Sequence, residues 1–317
     1  MIITLLDSLN IPEKHLQRLL SPLRAQGHTI NIVASLPASI QELKEKCKAA
    51  EILVIADKPL PDEVIETMPN LKMISVAFTG IDHVGHAHLQ QRGITVCNAA
   101  GYSDISVSEL VIALTLNLHR HVCTANDTVR HGGSHLSLPG SELSGKVVGI
   151  VGTGRIGLKT ASLFKAFGCR LLGFNHSVKK EGVSLGIDYV SLDELLTYSD
   201  VVSLHLPLKT NTRGILSKDR LSLMKPSAFL INCGRGPLVD NTALADALNN
   251  GKIAGAGIDV YDMEPPLPPE YPLLRAKNTL LTPHLAYATK ESMLRRAEIA
   301  IENAEKFITR KPQNVLI

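Results

Sequence analysis

The stretch KVVGIVGTGRIG, residues 146–157, decides the fold. An apolar, β-rich run from Val147 to Val151 enters Gly152-Thr153-Gly154-Arg155-Ile156-Gly157, and a helical pattern follows. This is GxGxxG between a strand and a helix, the setting in which the motif carries a mechanism. Gly152 permits the tight turn, Gly154 lets the backbone approach a pyrophosphate, and Gly157 lets helix and strand pack closely. Arg155 and Ile156 open a helix whose first N–H groups lack intrahelical acceptors and can receive phosphate oxygens. A glycine turn that binds nothing is the alternative; the strand–loop–helix context favours a dinucleotide.

Short apolar runs at 2–6, 31–34, 51–55, 72–76 and 94–97 read as strands. Helical patterns near 12–26, 39–48, 61–68 and 83–91 lie between them. From the glycine loop onward the scheme repeats, with strands at 170–174, 201–206, 228–232, 255–259 and 279–282. A long helical pattern from about 106 to 122 joins the halves, and another from about 289 to 309 closes the chain. Continuous β-rich runs alternating with helices imply parallel sheets covered on both faces. The proline-rich MEPPLPPEYP, 263–272, reads as a rigid loop.

The chain has 317 residues and 44% hydrophobic composition, which suggests two domains. A net charge of +3, an aromatic content of 4% and no basic stripe argue against nucleic acid. Apolar runs such as LVIALTL (110–116) are too short to span a membrane. The N-terminus has no basic flank and reaches Asp7 quickly, so it does not read as a signal peptide. Cys47, Cys97, Cys123, Cys169 and Cys233 show no CxxC pairing, which suits a reduced, cytoplasmic protein. HVGHAH, 83–88, suggests a metal site only weakly. Asp82 alone could add a carboxylate ligand, so these histidines read as solvated residues at a helix start and no metal is expected. His119, His121, His131 and His135 read as surface residues.

The strand after the glycine loop ends at Phe174, where an NAD site normally shows Asp or Glu for the ribose hydroxyls. Here stand Asn175, His176 and Ser177, then Lys179 and Lys180. The missing acid, with donors and cations after it, points to NADP acceptance, shared with NAD or not. Three further segments end strands: LINCGRGPLVD (230–240) places Arg235, GIDVYDMEPP (257–266) places Asp259 and Glu264, and LLTPHLAYAT (280–289) places His284. In a doubly wound sheet the carboxyl ends of strands line the ligand crevice, so these residues gather where a nicotinamide would lie. A guanidinium offers a bidentate fork to a carboxylate. A histidinium can protonate a carbonyl oxygen near neutral pH, and a carboxylate on its other nitrogen orients it. The chemistry matches hydride reduction of a 2-oxo acid.

With GTGRIG (152–157), HLPLKTNTRG (205–214), LINCGRGPLVD, GAGIDVYDMEPP (255–266) and TPHLAYAT (282–289), the chain resembles the D-2-hydroxyacid dehydrogenase family over essentially its whole length. The resemblance implies two open, doubly wound parallel-sheet α/β domains. A Rossmann cofactor domain, about 101–286, would be inserted in a flavodoxin-like substrate domain, 1–100 plus 287–317. It implies Arg235, Glu264 and His284 as the catalytic set, with Asp259 near the nicotinamide. Pro207, Thr212 and Cys233 would shape the cofactor pocket, and Thr79 and Gly80 would offer N–H groups to the substrate carboxylate. It also implies a homodimer that reduces a small 2-oxo acid, of pyruvate, hydroxypyruvate or glyoxylate size, to the D-2-hydroxy acid. Asn175 departs from the family's common acid. No further domain follows the last helix, which points away from the longer serine-pathway relatives. Glu264 sets the chain apart from formate dehydrogenase-like members. A dinucleotide-sensing transcriptional corepressor on the same fold is the alternative; such proteins usually carry interaction tails.

Overall fold

The computed structural model describes all residues except 7–8, 34–36, 57 and 135–138. The reading of Ala34 as strand and of His135 as a surface residue therefore lies outside the described residues. The chain divides into two compact units, Met1–Ser103 with Ala288–Ile317, and Asp104–Tyr287.

The first unit holds β1 (Ile2–Leu5), β2 (Thr29–Ile32), β3 (Ile52–Ile55), β4 (Met73–Val76) and β5 (Thr95–Asn98). All neighbours pair in parallel, in the order β2-β1-β3-β4-β5, the flavodoxin-like arrangement. The β3 and β4 strands are buried at every position, as strands covered on both faces must be. Helix Lys290–Ile308 covers one face: Ser75 Oγ donates to the Ala300 carbonyl at 2.8 Å, and Asn303 Nδ2 to that of Asn98 at 2.9 Å. The expected helix at 83–91 is absent; the segment forms turns. Its backbone is committed elsewhere, because Leu60 N–H donates to the His83 carbonyl and Gly85 N–H to that of Leu60. Groups held in a cross-chain bridge cannot close helical turns.

The second unit holds β6 (Val147–Val151), β7 (Arg170–Phe174), β8 (Ile187–Tyr189), β9 (Val201–Leu204), β10 (Phe229–Asn232), β11 (Gly255–Ile258) and β12 (Thr279–Leu281). The order β12-β11-β10-β9-β6-β7-β8 is parallel throughout. Counted from β6, this is the Rossmann order extended by one strand, and the winding reverses between β6 and β9. The fold class expected from the sequence is therefore the one observed.

Two readings near residue 120 are corrected. The continuous helix stops at Arg120; His121 takes φ +53°, and a second helix, Val122–Arg130, begins. His119 is buried, only 3% exposed, rather than at the surface. Its Nδ1 lies 2.6 Å from Ser141 Oγ and its ring 4.6 Å from that of Phe229. Burial pushes its pKa down to about 4.

Candidate active site

Every strand of the second unit runs the same way, so the loops after β6, β7, β9, β10, β11 and β12 emerge along one edge. The glycine loop stands at the switch point. Gly152 has φ +100°, and a Cβ there would lie 2.7 Å from the His205 carbonyl carbon, so only glycine fits between β6 and β9. A Cβ on Gly157 would come 2.0 Å from the Gly152 carbonyl, which fixes the close helix–strand approach. At Gly154, by contrast, a Cβ would meet nothing within 4 Å. That open space faces the start of helix Arg155–Ala166. Clear space beside first-turn N–H groups fits a pyrophosphate. Tyr189 Oη donates to Thr153 Oγ1 at 2.9 Å and pins the loop from β8. Arg155 is exposed and turns aside, with Nε on Asp104 Oδ2 at 2.9 Å.

After β7, Asn175 is half-buried and its Nδ2 donates to the Ser177 carbonyl at 2.9 Å. His176, Ser177, Lys179 and Lys180 are exposed around this turn. After β9, the Thr212 hydroxyl donates to the Pro207 carbonyl and accepts from Lys209 N–H, each at 2.7 Å, closing a compact loop. Cys233 is buried directly after β10, and burial, with the Asp259 charge adding to it, pushes its thiol well above its ordinary value. It keeps its proton.

Arg235 sits on a turn shaped by Asn232. Asn232 Oδ1 accepts from Gly234 N–H and its Nδ2 donates to the Arg235 carbonyl, both at 3.0 Å. Arg235 is extended, at φ −142°, and half-buried, with Nη1 donating to the Gly234 carbonyl at 2.8 Å. The buried Asp259 organises the third loop. It accepts from Thr282 Oγ1 at 2.6 Å and from the N–H groups of Leu285 and Ala286 at 2.9 Å each. Its own carbonyl accepts from His284 N–H at 2.9 Å. Burial outweighs these bonds and raises its pKa.

His284 is thereby held at φ +54°, a left-handed conformation whose cost is on the order of 1–3 kcal/mol. Its Nδ1 lies 2.9 Å from both Glu264 oxygens. The Tyr287 ring packs edge-on against the imidazole, 5.4 Å between centroids. With the Glu264 side chain 75% exposed and that of His284 22% exposed, the pair adds little to stability; its effect is to orient the ring.

The structure thus brings Glu264 and His284 into contact and places Arg235 and Asp259 on the same strand edge. Thr79 and Gly80 belong to the first unit, in the loop after β4, where the Thr79 carbonyl accepts from Asn98 Nδ2 at 2.7 Å. Sequence reasoning overlooked Asn232, Thr282 and Tyr189 as supports. An Asn at a strand end followed by Cys-Gly is the one local signal, since its side chain turns back on the next N–H groups. A cavity lined by Val147, Arg170, Leu172 and Lys225 opens at the opposite edge of this sheet, at the strand starts. Its cations are already paired, Arg170 with Asp188 and Lys225 with Asp200.

Comparison with known proteins bears on the family of the chain. The family model "D-isomer specific 2-hydroxyacid dehydrogenase, NAD binding domain" matches residues 112–286. A hydroxypyruvate reductase of Blautia hydrogenotrophica is 37% identical over 301 residues, 93% of each chain. A glyoxylate reductase of Thermofilum pendens is 39% identical over 276 residues, 84% of this chain and 81% of that one. Among solved structures, an acyclic imino acid reductase in complex with NADPH and D-Arg matches with TM-score 0.90 and 31% identity, covering 100% of both chains. The chain belongs to the D-isomer specific 2-hydroxyacid dehydrogenases, NAD(P)-dependent oxidoreductases that act on 2-hydroxy and 2-oxo acids.

Proposed function

We propose that this enzyme reduces a small 2-oxo acid, of glyoxylate, pyruvate or hydroxypyruvate size, to the D-2-hydroxy acid, with Arg235, Glu264 and His284 as the acting side chains. The observation that carries the reading is the Glu264–His284 contact at the same strand edge as Arg235 and the glycine loop. A bound nicotinamide supplies the hydride. Gly152, Gly154 and Gly157, with the N–H groups of Arg155 and Ile156, would hold its pyrophosphate. The Arg235 guanidinium grips the substrate carboxylate through its fork and draws electron density from the adjacent carbonyl. Since His284 Nδ1 is committed to Glu264, Nε2 is the nitrogen that donates the proton as charge develops on the carbonyl oxygen. Glu264 compensates the charge of the imidazolium and fixes its tautomer. Thr79 and Gly80 are proposed substrate contacts; Gly80→Pro, which removes one N–H, should raise KM.

The deciding experiment is kcat/KM for glyoxylate, pyruvate and hydroxypyruvate with NADH and NADPH. These substrates differ by groups worth about 1–3 kcal/mol each, so overlapping activity is expected. No turnover of any of them would refute the assignment. NADPH acceptance is supported by Asn175, which carries no negative charge to repel a 2′-phosphate, and by the exposed His176, Ser177, Lys179 and Lys180. A preference for NADH of more than about a hundredfold, near 2.7 kcal/mol, would defeat it. The five free cysteines support a reduced compartment such as the cytoplasm, and among the described residues no helix is long and apolar enough to cross a membrane. A homodimer is proposed with it and is checked by light scattering.

One observation favours a second reading, reduction of a 2-imino acid: the likeness to the acyclic imino acid reductase. The same hydride and proton added across C=N give an amine. Adding ammonia or an amine to the oxo-acid assay and measuring amino acid formation separates the two.

A further inference from the structure

We propose that Tyr261 is the positioning residue that ties together the loops carrying Arg235, Glu264 and His284, and that its hydroxyl sets the placement of His284. The proposal rests on the reading of these three side chains as the groups that act on the substrate. Tyr261 is buried, 8% exposed, three residues beyond β11. It reaches all three loops by different routes.

The first route is main chain to main chain. A Cβ on Gly236 would lie 1.9 Å from the Tyr261 carbonyl oxygen, so the turn after Arg235 rests directly on the Tyr261 backbone. The second is the phenol, which donates to the Thr282 carbonyl at 2.9 Å, with the Ile258 carbonyl at 3.3 Å as a further acceptor. Thr282 lies two residues before His284. The third is the ring, which packs edge-on against Tyr271 with centroids 5.8 Å apart. Tyr271 Oη donates to Asp262 Oδ2 at 2.9 Å, and Asn241 Nδ2 donates to the same oxygen at 3.0 Å. Asp262 lies two residues before Glu264.

The hydroxyl is a steady donor. Burial pushes its pKa up to about 12, so it keeps its proton across the neutral range. Asp259 holds both sides of the His284 turn, through the Thr282 hydroxyl before it and the N–H groups of Leu285 and Ala286 after it. The Tyr261 hydroxyl adds a second hold on the near side, at the Thr282 carbonyl. The left-handed residue lies between the two sides, and losing either Asp259 or the Tyr261 hydroxyl lets the imidazole drift from its productive position.

Tyr261→Phe isolates the tether, because a phenyl ring fills the same space and keeps both the Gly236 contact and the Tyr271 packing. The expected result is a fall in kcat of about tenfold, since a misplacement of an ångström or less can cost up to a hundredfold. KM for the oxo acid and the Kd of NADPH should stay within about twofold, because Arg235 and the glycine loop keep their supports. Amide hydrogen exchange of 282–287 should quicken about tenfold, with 152–157 unchanged. Tyr261→Leu should raise KM as well, and Phe at this position should restore KM but not kcat. Tyr271→Phe should quicken exchange at 262–264 and leave 282–287 at the wild-type rate.

Wild-type kcat in Tyr261→Phe, with or without faster exchange, overturns the proposal. A lower kcat with unchanged exchange overturns it too, since the hydroxyl would then act by another route. A wild-type chain inert toward every oxo acid would instead sink the functional reading, and the exchange arm would still decide the tether on its own.

Discussion

The glycine loop and the loops bearing Arg235, Glu264 and His284 stand at one edge of one sheet, yet different forces shape them. The glycine loop is set by exclusion: atoms already in place leave no room for a Cβ at Gly152 or Gly157. Apart from the close seating of Gly236 on Tyr261, the other loops are set by attraction. Asn232 holds its turn through bonds to the next few residues, and Asp259, Thr282 and Tyr261 hold theirs through hydrogen bonds that span distant parts of the chain. A shape made by exclusion cannot loosen without a clash, whereas a shape made by hydrogen bonds can be weakened one bond at a time. Cofactor binding should therefore fail through steric change, and turnover through single lost bonds.

The sharpest way to break this comparison is His284→Gln. It should lower kcat/KM by about a thousandfold, the scale of lost general-acid catalysis, while the Kd of NADPH stays unchanged in a fluorescence titration. A weakened Kd would mean that the two regions are not separable. Next in size, Arg235→Lys keeps the charge but loses the fork. It should raise KM and lower kcat, for a combined loss of about a hundredfold in kcat/KM. In the opposite direction, Gly157→Ala should weaken NADPH binding by roughly tenfold, about 1.4 kcal/mol, with kcat at saturation less affected. Unchanged affinity would show that the 2.0 Å approach relaxes at no cost.

The smallest effect on activity is expected at His119, far from either region's chemistry. Its pKa is near 4 when folded and near 6.5 when unfolded, so between these values the unfolded chain binds more protons. Stability is then full above about pH 6.5, falls as pH drops toward 4, and levels off below. The loss is at most about 3 kcal/mol, and the half-buried His205, also near 4, adds in the same direction. His119→Leu should flatten that slope in urea melts at pH 4 and pH 7 without changing kcat. An unaltered slope would mean that His119 is already charged in the fold.

The same contrast explains what could be read from the sequence. The GTGRIG loop was legible because its glycine spacing between a strand and a helix is itself a local pattern, although the atoms that exclude a Cβ at Gly152 belong to distant His205. The strands were legible where burial on both faces makes a run fully apolar, as in β3. The β8 strand escaped because it has three residues and one of them, Asp188, is exposed. The turns at 83–91 were mistaken for a helix because the competing partner, Leu60, lies in another segment. His119 looked like a surface residue because its partner Ser141 is 22 positions away. The Glu264–His284 pairing was anticipated from chemistry alone. The anchoring of both loops by Tyr261 and Asp259 depends on bonds that no local pattern encodes.

The first unit has one more property with consequences of its own. Its core joins residues such as Leu5, Ile52 and Met73 to Ala297, Ala300, Ile301 and Ala304 of the final helix. During synthesis on the ribosome, the intervening unit emerges whole before that helix exists. The early strands must then wait, one apolar face bare, for nearly two hundred residues of translation, at about 5–20 residues per second. For this interval of about ten seconds or more, the apolar face that Ala297, Ala300, Ile301 and Ala304 later cover stays open to other chains.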